Sequence, residues 1–289
     1  SDNAVSGLDY ERATPQWNYY PSSSINSDNV IEYKGKLYLF DLVKSGKRII
    51  VEIDILTGDT QEREVGDVSE IANIQDPKVM NDSYYYILKK KTSFPGFFVN
   101  SYDLISGESK SYELKDNDLY FINGILPPYL AVDADKKEAF ISGWYRDNGV
   151  REVLIFKVNL EDGTCQAIFN KDSEYIFNGR IMLSENSIIF PLTKLTNGYV
   201  LIDREIPYSE SVEKVGQLNY SYNSFVEGNT IYNLKGPVLT YNIETRDVYK
   251  INEIRENISY SSDREYIAYN DGDVLNIFKL NVHQLMVEI

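Results

Sequence analysis

The sequence predicts an all-β fold: a six-bladed β-propeller of four-stranded antiparallel blades, with seven blades as the alternative if residues 1–28 pair into a sheet. Three observations predict it. Three turn signals recur in the same order six times along the chain. Each turn is flanked by apolar, strand-like runs. No stretch carries a convincing 3.6-residue period that would compete as a helix. Three turns join four strands, so each repeat reads as a meander. One meander leaves both sheet faces bare, whereas packing each sheet against its neighbours around a ring covers them.

The first repeat turns at Lys34-Gly35, Ser45-Gly46 and Thr57-Gly58. Its strands are read at 30–33, 36–40, 48–55 and 61–65. The second turns at Asn81-Asp82, Pro95-Gly96 and Ser106-Gly107, with strands at 78–80, 83–88, 97–102 and 110–114. The third turns at Asp135-Lys136, Asn148-Gly149 and Asp162-Gly163. The fourth turns at Glu185-Asn186 and Asn197-Gly198, with an irregular third turn near Pro207. The fifth turns at Glu227-Gly228, Gly236-Pro237 and Thr245-Arg246. The sixth turns at Ser262-Asp263, Asp271-Gly272 and near His283.

The third turn has its own signature: Asp54-x-x-Thr57-Gly58, Asp103-x-x-Ser106-Gly107, Asn159-x-x-Asp162-Gly163 and Asn242-x-x-Thr245-Arg246. A short polar residue closes the strand, and a residue tolerant of positive φ turns it. The middle-turn glycines fall at 46, 96, 149, 198, 236 and 272, so the spacing shrinks along the chain. The shrinkage is read as long connectors at 66–77, 115–128 and 170–179, against brief ones at 216–222 and 252–257.

The chain has 289 residues, enough to bury about 75% of its unfolded surface without disulfides. Residues 29–289 read as one propeller domain. Residues 1–28 read as a linker or tether, or as a segment whose Trp17-Asn18-Tyr19-Tyr20 packs on the body. There is one cysteine, Cys165, so no disulfide forms within the chain. The net charge of −15 argues against nucleic acid or anionic membrane as partner, because phosphate binding needs clustered Lys and Arg. Lys89-Lys90-Lys91 reads as a charged hairpin edge. No apolar run approaches the ~20 residues of a membrane helix, so no membrane insertion is expected of this segment. The start at Ser1-Asp2-Asn3-Ala4 suggests a cloning remnant or a trimmed mature terminus.

Units such as Gly35-Lys36-Leu37-Tyr38-Leu39 followed by Ile53-Asp54-Ile55-Leu56-Thr57-Gly58 resemble bacterial extracytoplasmic propellers of the TolB-like and quinoprotein-like kinds. The resemblance spans roughly 29–289 and implies the propeller architecture and a periplasmic, secreted or surface-anchored location. The tryptophans that mark quinoprotein blades are missing from the corresponding positions, as are WD dipeptides and a sialidase Ser-x-Asp-x-Gly-x-x-Trp box.

Catalytic vocabulary is sparse. The single His283 precludes a histidine-rich metal site. No Gly-x-Ser-x-Gly elbow accompanies it. Cys165 has no cationic sequence neighbour to activate it. Asp133-x-Asp135 and Asp116-x-Asp118 lack the glycine and terminal glutamate of a calcium loop. No metal or cofactor is expected. Connectors and middle loops share one face, and those of the first three repeats are rich in aromatics. Phe94, Phe97, Tyr120, Phe121, Trp144, Tyr145, Tyr175 and Phe177 lie there, with Arg146 and Arg180 beside them. Converging, they would form an aromatic wall for a glycan, a peptide or a surface protein. The leading expectation is a non-catalytic binding module. Alternatives are a carboxylate-dependent glycoside hydrolase or lyase, and a structural scaffold. The plainer reading of the aromatics is loop packing, and Tyr84-Tyr85-Tyr86 reads as strand residues whose rings pack while their hydroxyls stay wet.

Overall fold

The computed structural model describes residues 5–9, 14–21, 23, 29–91, 96–114, 128–147, 150–172, 180–192, 198–207, 209–213, 224–233, 239–250, 258–260, 266–271 and 274–279. Every regular element among them is a β-strand. β1 (Val5–Asp9) and β2 (Thr14–Tyr19) pair antiparallel as a sheet of two. The segment expected as a tether therefore holds a hairpin of its own. Tyr19 packs on the first large sheet, and Ser23 accepts the Val43 N–H through its Oγ at 3.2 Å.

The first large sheet runs in chain order through β3 (Val30–Tyr33), β4 (Lys36–Lys44), β5 (Lys47–Asp54) and β6 (Thr60–Asp67). The second contains β7 (Ile71–Met80), β8 (Ser83–Lys90), β9 (Phe97–Asp103) and β10 (Ser109–Glu113). The third contains β11 (Tyr129–Asp133), β12 (Glu138–Asp147), β13 (Val150–Asn159) and β14 (Cys165–Asp172). The fourth contains β15 (Met182–Leu183), β16 (Ser187–Leu192), β17 (Gly198–Asp203) and β18 (Ser211–Glu213). The fifth contains β19 (Phe225–Glu227), β20 (Thr230–Asn233), β21 (Leu239–Asn242) and β22 (Val248–Lys250). The last has three described strands, β23 (Ile258–Tyr260), β24 (Tyr266–Asp271) and β25 (Val274–Lys279).

Neighbours in sequence are neighbours in every sheet, as the meander reading requires. The chain divides into two compact units, 1–146 with 157–166, and 147–156 with 167–289. In the first unit the period-2 alternation of β8 explains its unbroken apolar run. Tyr84, Tyr86 and Leu88 face Tyr38, Phe40 and Ile50 of the first sheet. Tyr85 and Ile87 point the other way, into a core shared with Leu130, Ala139 and Ile141 of the third sheet. The rings of the tyrosine run pack as read, but the Tyr84 hydroxyl is buried rather than wet. The Cys165 thiol packs at the margin of that second core. In the second unit, Ile189 and Leu201 of the fourth sheet pack with Ile231 and Tyr241 of the fifth.

In the first five sheets the first and third turns lie at one end, and a repeated bond joins them. The N–H of Ile55 donates to Gly35 O, Leu104 to Asp82, Leu160 to Lys137, Arg204 to Asn186 and Ile243 to Asn229, all at 2.8–3.0 Å. The Asp or Asn that closes the third strand holds its own turn. Asp103 Oδ1 accepts from Ile105 and Ser106 at 2.9 and 2.7 Å, and Asn242 Oδ1 accepts from Glu244 and Thr245 at 3.0 and 2.9 Å. These are Asx turns, the chemistry that the motif implied. The irregular turn near Pro207 belongs to the same class. Asp203 Oδ1 accepts from Glu205 and Ile206, and Ser209 Oγ takes the Asp203 N–H.

Several strand ends differ from the sequence reading by a few residues, as where β4 runs on to Lys44, and two differences bear on the fold. The fifth sheet turns at Gly228-Asn229, one residue late, because Glu227 pairs with Thr230. More consequentially, 66–77 is not a long connector. β6 continues to Asp67 and β7 begins at Ile71, leaving 68–70 between them. Gly66, Asp76 and Pro77 looked like breakers, but they sit at bulges within continuous pairing.

Candidate functional site

The other end of each sheet carries the middle turn and the connectors. In the first unit these are fastened together. The Val68 N–H donates to Gly46 O of the first middle turn at 3.0 Å. The Lys91 N–H, after β8, donates to Glu70 O at 2.6 Å. One three-residue connector thus ties two neighbouring sheets.

Below this edge, two aspartates adopt positive φ: Asp41 at 63° in β4 and Asp76 at 43° in β7. Each sits where its strand slips register, between Leu39 and Leu42 and between Gln75 and Lys78. Such backbone costs about 1–3 kcal/mol for a non-glycine residue. Each bulge aims a carboxylate at the next sheet. Asp41 Oδ1 accepts the Ile74 N–H of β7 at 2.9 Å and pairs with Arg48. Arg48 in turn donates to the Ile71 carbonyl at 3.2 Å and to the Ala72 carbonyl. Asp76 Oδ2 accepts the Leu130 N–H of β11 at 2.6 Å, and Lys78 pairs with Oδ1. First strands are edge strands, whose spare N–H groups need partners. The clasps supply them. Burial pushes the Asp41 carboxyl above its ordinary value, opposed by the Ile74 N–H and by Arg48.

Between the clasps lie Asn73 and Gln75 of β7. Their side-chain oxygens are buried and accept no hydrogen bond. Leaving a buried polar group unpaired costs about 1–3 kcal/mol. Asn73 stands opposite Lys89, which stands opposite Phe97. Gln75 stands opposite Ile87, and Ile87 opposite Val99, both fully buried. The Lys89 ammonium lies 5.7 Å from the Phe97 ring centroid, and Lys90 lies 4.1 Å from that of Phe98.

The sequence-predicted aromatic wall fares unevenly. Phe94, Tyr120, Phe121, Tyr175 and Phe177 lie outside the described residues, as do Asp116, Asp118 and His283. Trp144, Tyr145 and Arg146 lie on β12, next to its middle-turn end. Arg180 precedes β15 and is partly buried. Phe97 is a correction. It is 6% exposed and belongs to the core of the second and third sheets, because its side chain at the start of β9 points into that core. Asp133 caps its own turn by accepting the Lys136 N–H, and Asp135 accepts from Asn81 Nδ2 at 2.9 Å. Among the described residues no cluster of His, Cys, Asp or Glu has the arrangement of a metal site. Asn73, Gln75 and the two clasps were missed from sequence, because they were read as connector or lay unremarked inside a strand.

No protein-family model and no curated protein matches the chain. Solved structures do. The chain is similar to the β-propeller domain of the Trilobed protease from Pyrococcus furiosus, described as having an open velcro topology. The identity is 10% over 88% of this chain and 81% of that one, with a TM-score of 0.52. It is also similar to an oligogalacturonate lyase solved in complex with manganese, at 11% identity over 91% of this chain and 77% of that one, with a TM-score of 0.53. Pyrococcus horikoshii acylaminoacyl peptidase matches at 10% identity over 88% of this chain and 44% of its own length, with a TM-score of 0.52. The fold is that of a β-propeller. At these identities the likeness extends to the propeller fold and not to activity. The sheets are therefore its blades, and β7 is the first strand of the second blade. Among the described residues no helix is long and apolar enough to cross a membrane.

Proposed function

We propose that this chain is a non-catalytic, extracytoplasmic binding module, with 29–289 forming one six-bladed propeller that takes a glycan, peptide or protein at the connector end of its first blades. The observation that carries the reading is the bonding of the 68–70 connector to both neighbouring middle turns. A binding surface needs loops held by a rigid scaffold. Here the loops of two blades are joined at the edge where the sequence concentrates aromatic residues.

The chemistry of this edge favours binding over catalysis. Asp41 and Asp76 are each engaged by a backbone N–H and a cation. General acid–base work requires a carboxyl within reach of substrate and able to exchange its proton. These two are spent on holding blades together.

The test is titration with panels of soluble oligosaccharides and of short peptides, followed by tryptophan and tyrosine fluorescence. Trp144→Ala and Tyr120→Ala are expected to weaken the binding ligand at least tenfold with the unfolding midpoint retained. Turnover of any probe, or binding unaffected by both variants, overturns the reading.

A further inference from the structure

We propose that Asn73 and Gln75 form a hydrogen-bonding subsite for a hydroxyl-rich ligand, a carbohydrate, on the first strand of the second blade; this rests on the binding-module reading. The two positions are separated by one residue, so they share a face of β7 about 7 Å apart. That face looks toward the core shared with the third blade, since their cross-strand partners Lys89 and Ile87 stand in line with Phe97 and Val99. Leucine or valine at both positions would extend this core and complete an ordinary strand pattern. The chain has two carboxamides instead, and each leaves its oxygen buried and unpartnered.

The surroundings select the ligand's chemistry. An amide oxygen accepts hydrogen bonds, so the ligand must donate. The nearest carboxylates of the two clasps already carry cations, Arg48 on Asp41 and Lys78 on Asp76. Lys89 lies in the cross-strand row of Asn73. A cationic donor therefore meets the positive charges of Arg48, Lys78 and Lys89. A neutral hydroxyl does not face that obstacle. A carboxamide also offers its NH2 group, so rotation of the terminal amide lets it donate as well as accept. Sugar hydroxyls need both roles. The place is also where the sequence pattern breaks: Asn73, Gln75, Asp76 and Pro77 hide a strand. Asp76 and Pro77 are explained by the bulge and clasp. The two amides have no such partner, and a local rule broken without compensation within the fold marks a functional position.

The experiment uses the full chain and two near-isosteric apolar variants, Asn73→Leu and Gln75→Met, singly and together. The probes are cellotriose, maltotriose, xylotriose and chitotriose, with trialanine as the peptide control, followed by calorimetric titration and by thermal unfolding. The expected result is that at least one trisaccharide binds the wild type and that each variant weakens it tenfold or more. The unfolding midpoint of the free variants is expected to stay level or rise, because an unsatisfied group has been removed. A fall of more than about 4 °C overturns the proposal, since the amides would then serve the fold. Equal trisaccharide binding by wild type and double variant also overturns it, while leaving the binding-module reading intact. Binding of trialanine alone overturns the carbohydrate subsite and keeps the module. Binding of no probe overturns the subsite, and the wider panels then decide the module on their own.

Discussion

The two ends of these blades are built on different principles. The turn end repeats one bond in five blades, from the residue after the third-strand Asp or Asn to the first turn. Its Asx bonds are local, within three residues in sequence, while exposed polar contacts such as Lys34 to Asp82 and Asn81 to Asp135 cross to the next blade. The connector end is made once in each place. Asp41 reaches 33 residues ahead to Ile74, and Asp76 reaches 54 ahead to Leu130. The turn end thus closes each blade by a repeated local bond and links blades through exposed side chains, whereas the connector end links them through part-buried carboxylates on edge-strand N–H groups. Positive φ follows the same division. At the turn end it falls on tight-turn residues such as Lys34 and Gly35, whereas at the clasps it falls on aspartates inside strands.

The largest expected effect comes from breaking a clasp. Arg48→Met should cost roughly 2–4 kcal/mol in urea unfolding, below the upper range for buried pairs because both groups keep some exposure. Its pH dependence gives the sign. Asp41 has a raised folded pKa, so its contribution is present below the unfolded value near 3.9 and lost as pH rises through the folded value. Removing Arg48 raises that value further. The deficit of Arg48→Met against wild type should therefore be larger at pH 7 than at pH 4. An equal deficit at both would show that Arg48 acts only by packing.

Gly66→Ala should follow, at about 1–3 kcal/mol. A Cβ there would lie 2.7 Å from Ile71 Cδ1, and Ile71 is buried between the first two blades. A neutral result would mean that the β6 bulge can relax.

Changes at the turn end should be smaller and should differ by chemistry. Asp103→Ala lowers the unfolding midpoint by removing two acceptor bonds, yet less than Arg48→Met does. Asp103→Asn keeps the turn, as Asn159 and Asn242 do in their blades. The Ser106 and Ile105 N–H groups hold the Asp103 carboxyl below its ordinary value, and those of Thr57 and Leu56 do the same for Asp54. Their stabilisation is present above the unfolded value and lost as pH falls through the folded one. The double variant Asp54→Asn with Asp103→Asn should flatten the loss of stability below about pH 4. A slope equal to wild type would place the acid sensitivity elsewhere.

The smallest effect is expected at Leu56 and Ile105, which are 83% and 82% exposed on rigid turn tips. Leu56→Ser with Ile105→Ser should shift stability within about 0.5 kcal/mol. A larger loss would show that these two apolar tips pack against something beyond their own blade.

The legibility of the chain follows this division. Turn residues announced themselves, since Asp54, Asp103, Asn159 and Asn242 act on neighbours within the same hairpin. The Asp203 turn was obscured only because Pro207 has no N–H to offer. The candidate site was largely illegible. Asn73 and Gln75 interrupt the alternation that reveals a strand, and Pro77 reads as a stop unless the bulge is known. Phe97 was placed on a surface because sequence shows a nearby loop but not which way the first strand residue points.

The sequence by itself determined the meanders, because hairpin turns and period-2 burial act over a few residues. Only the tertiary structure decided which carboxylate meets which strand and which amides are left without partners. Those contacts join residues far apart in the chain, and their register is set by bulges that have no signature of their own.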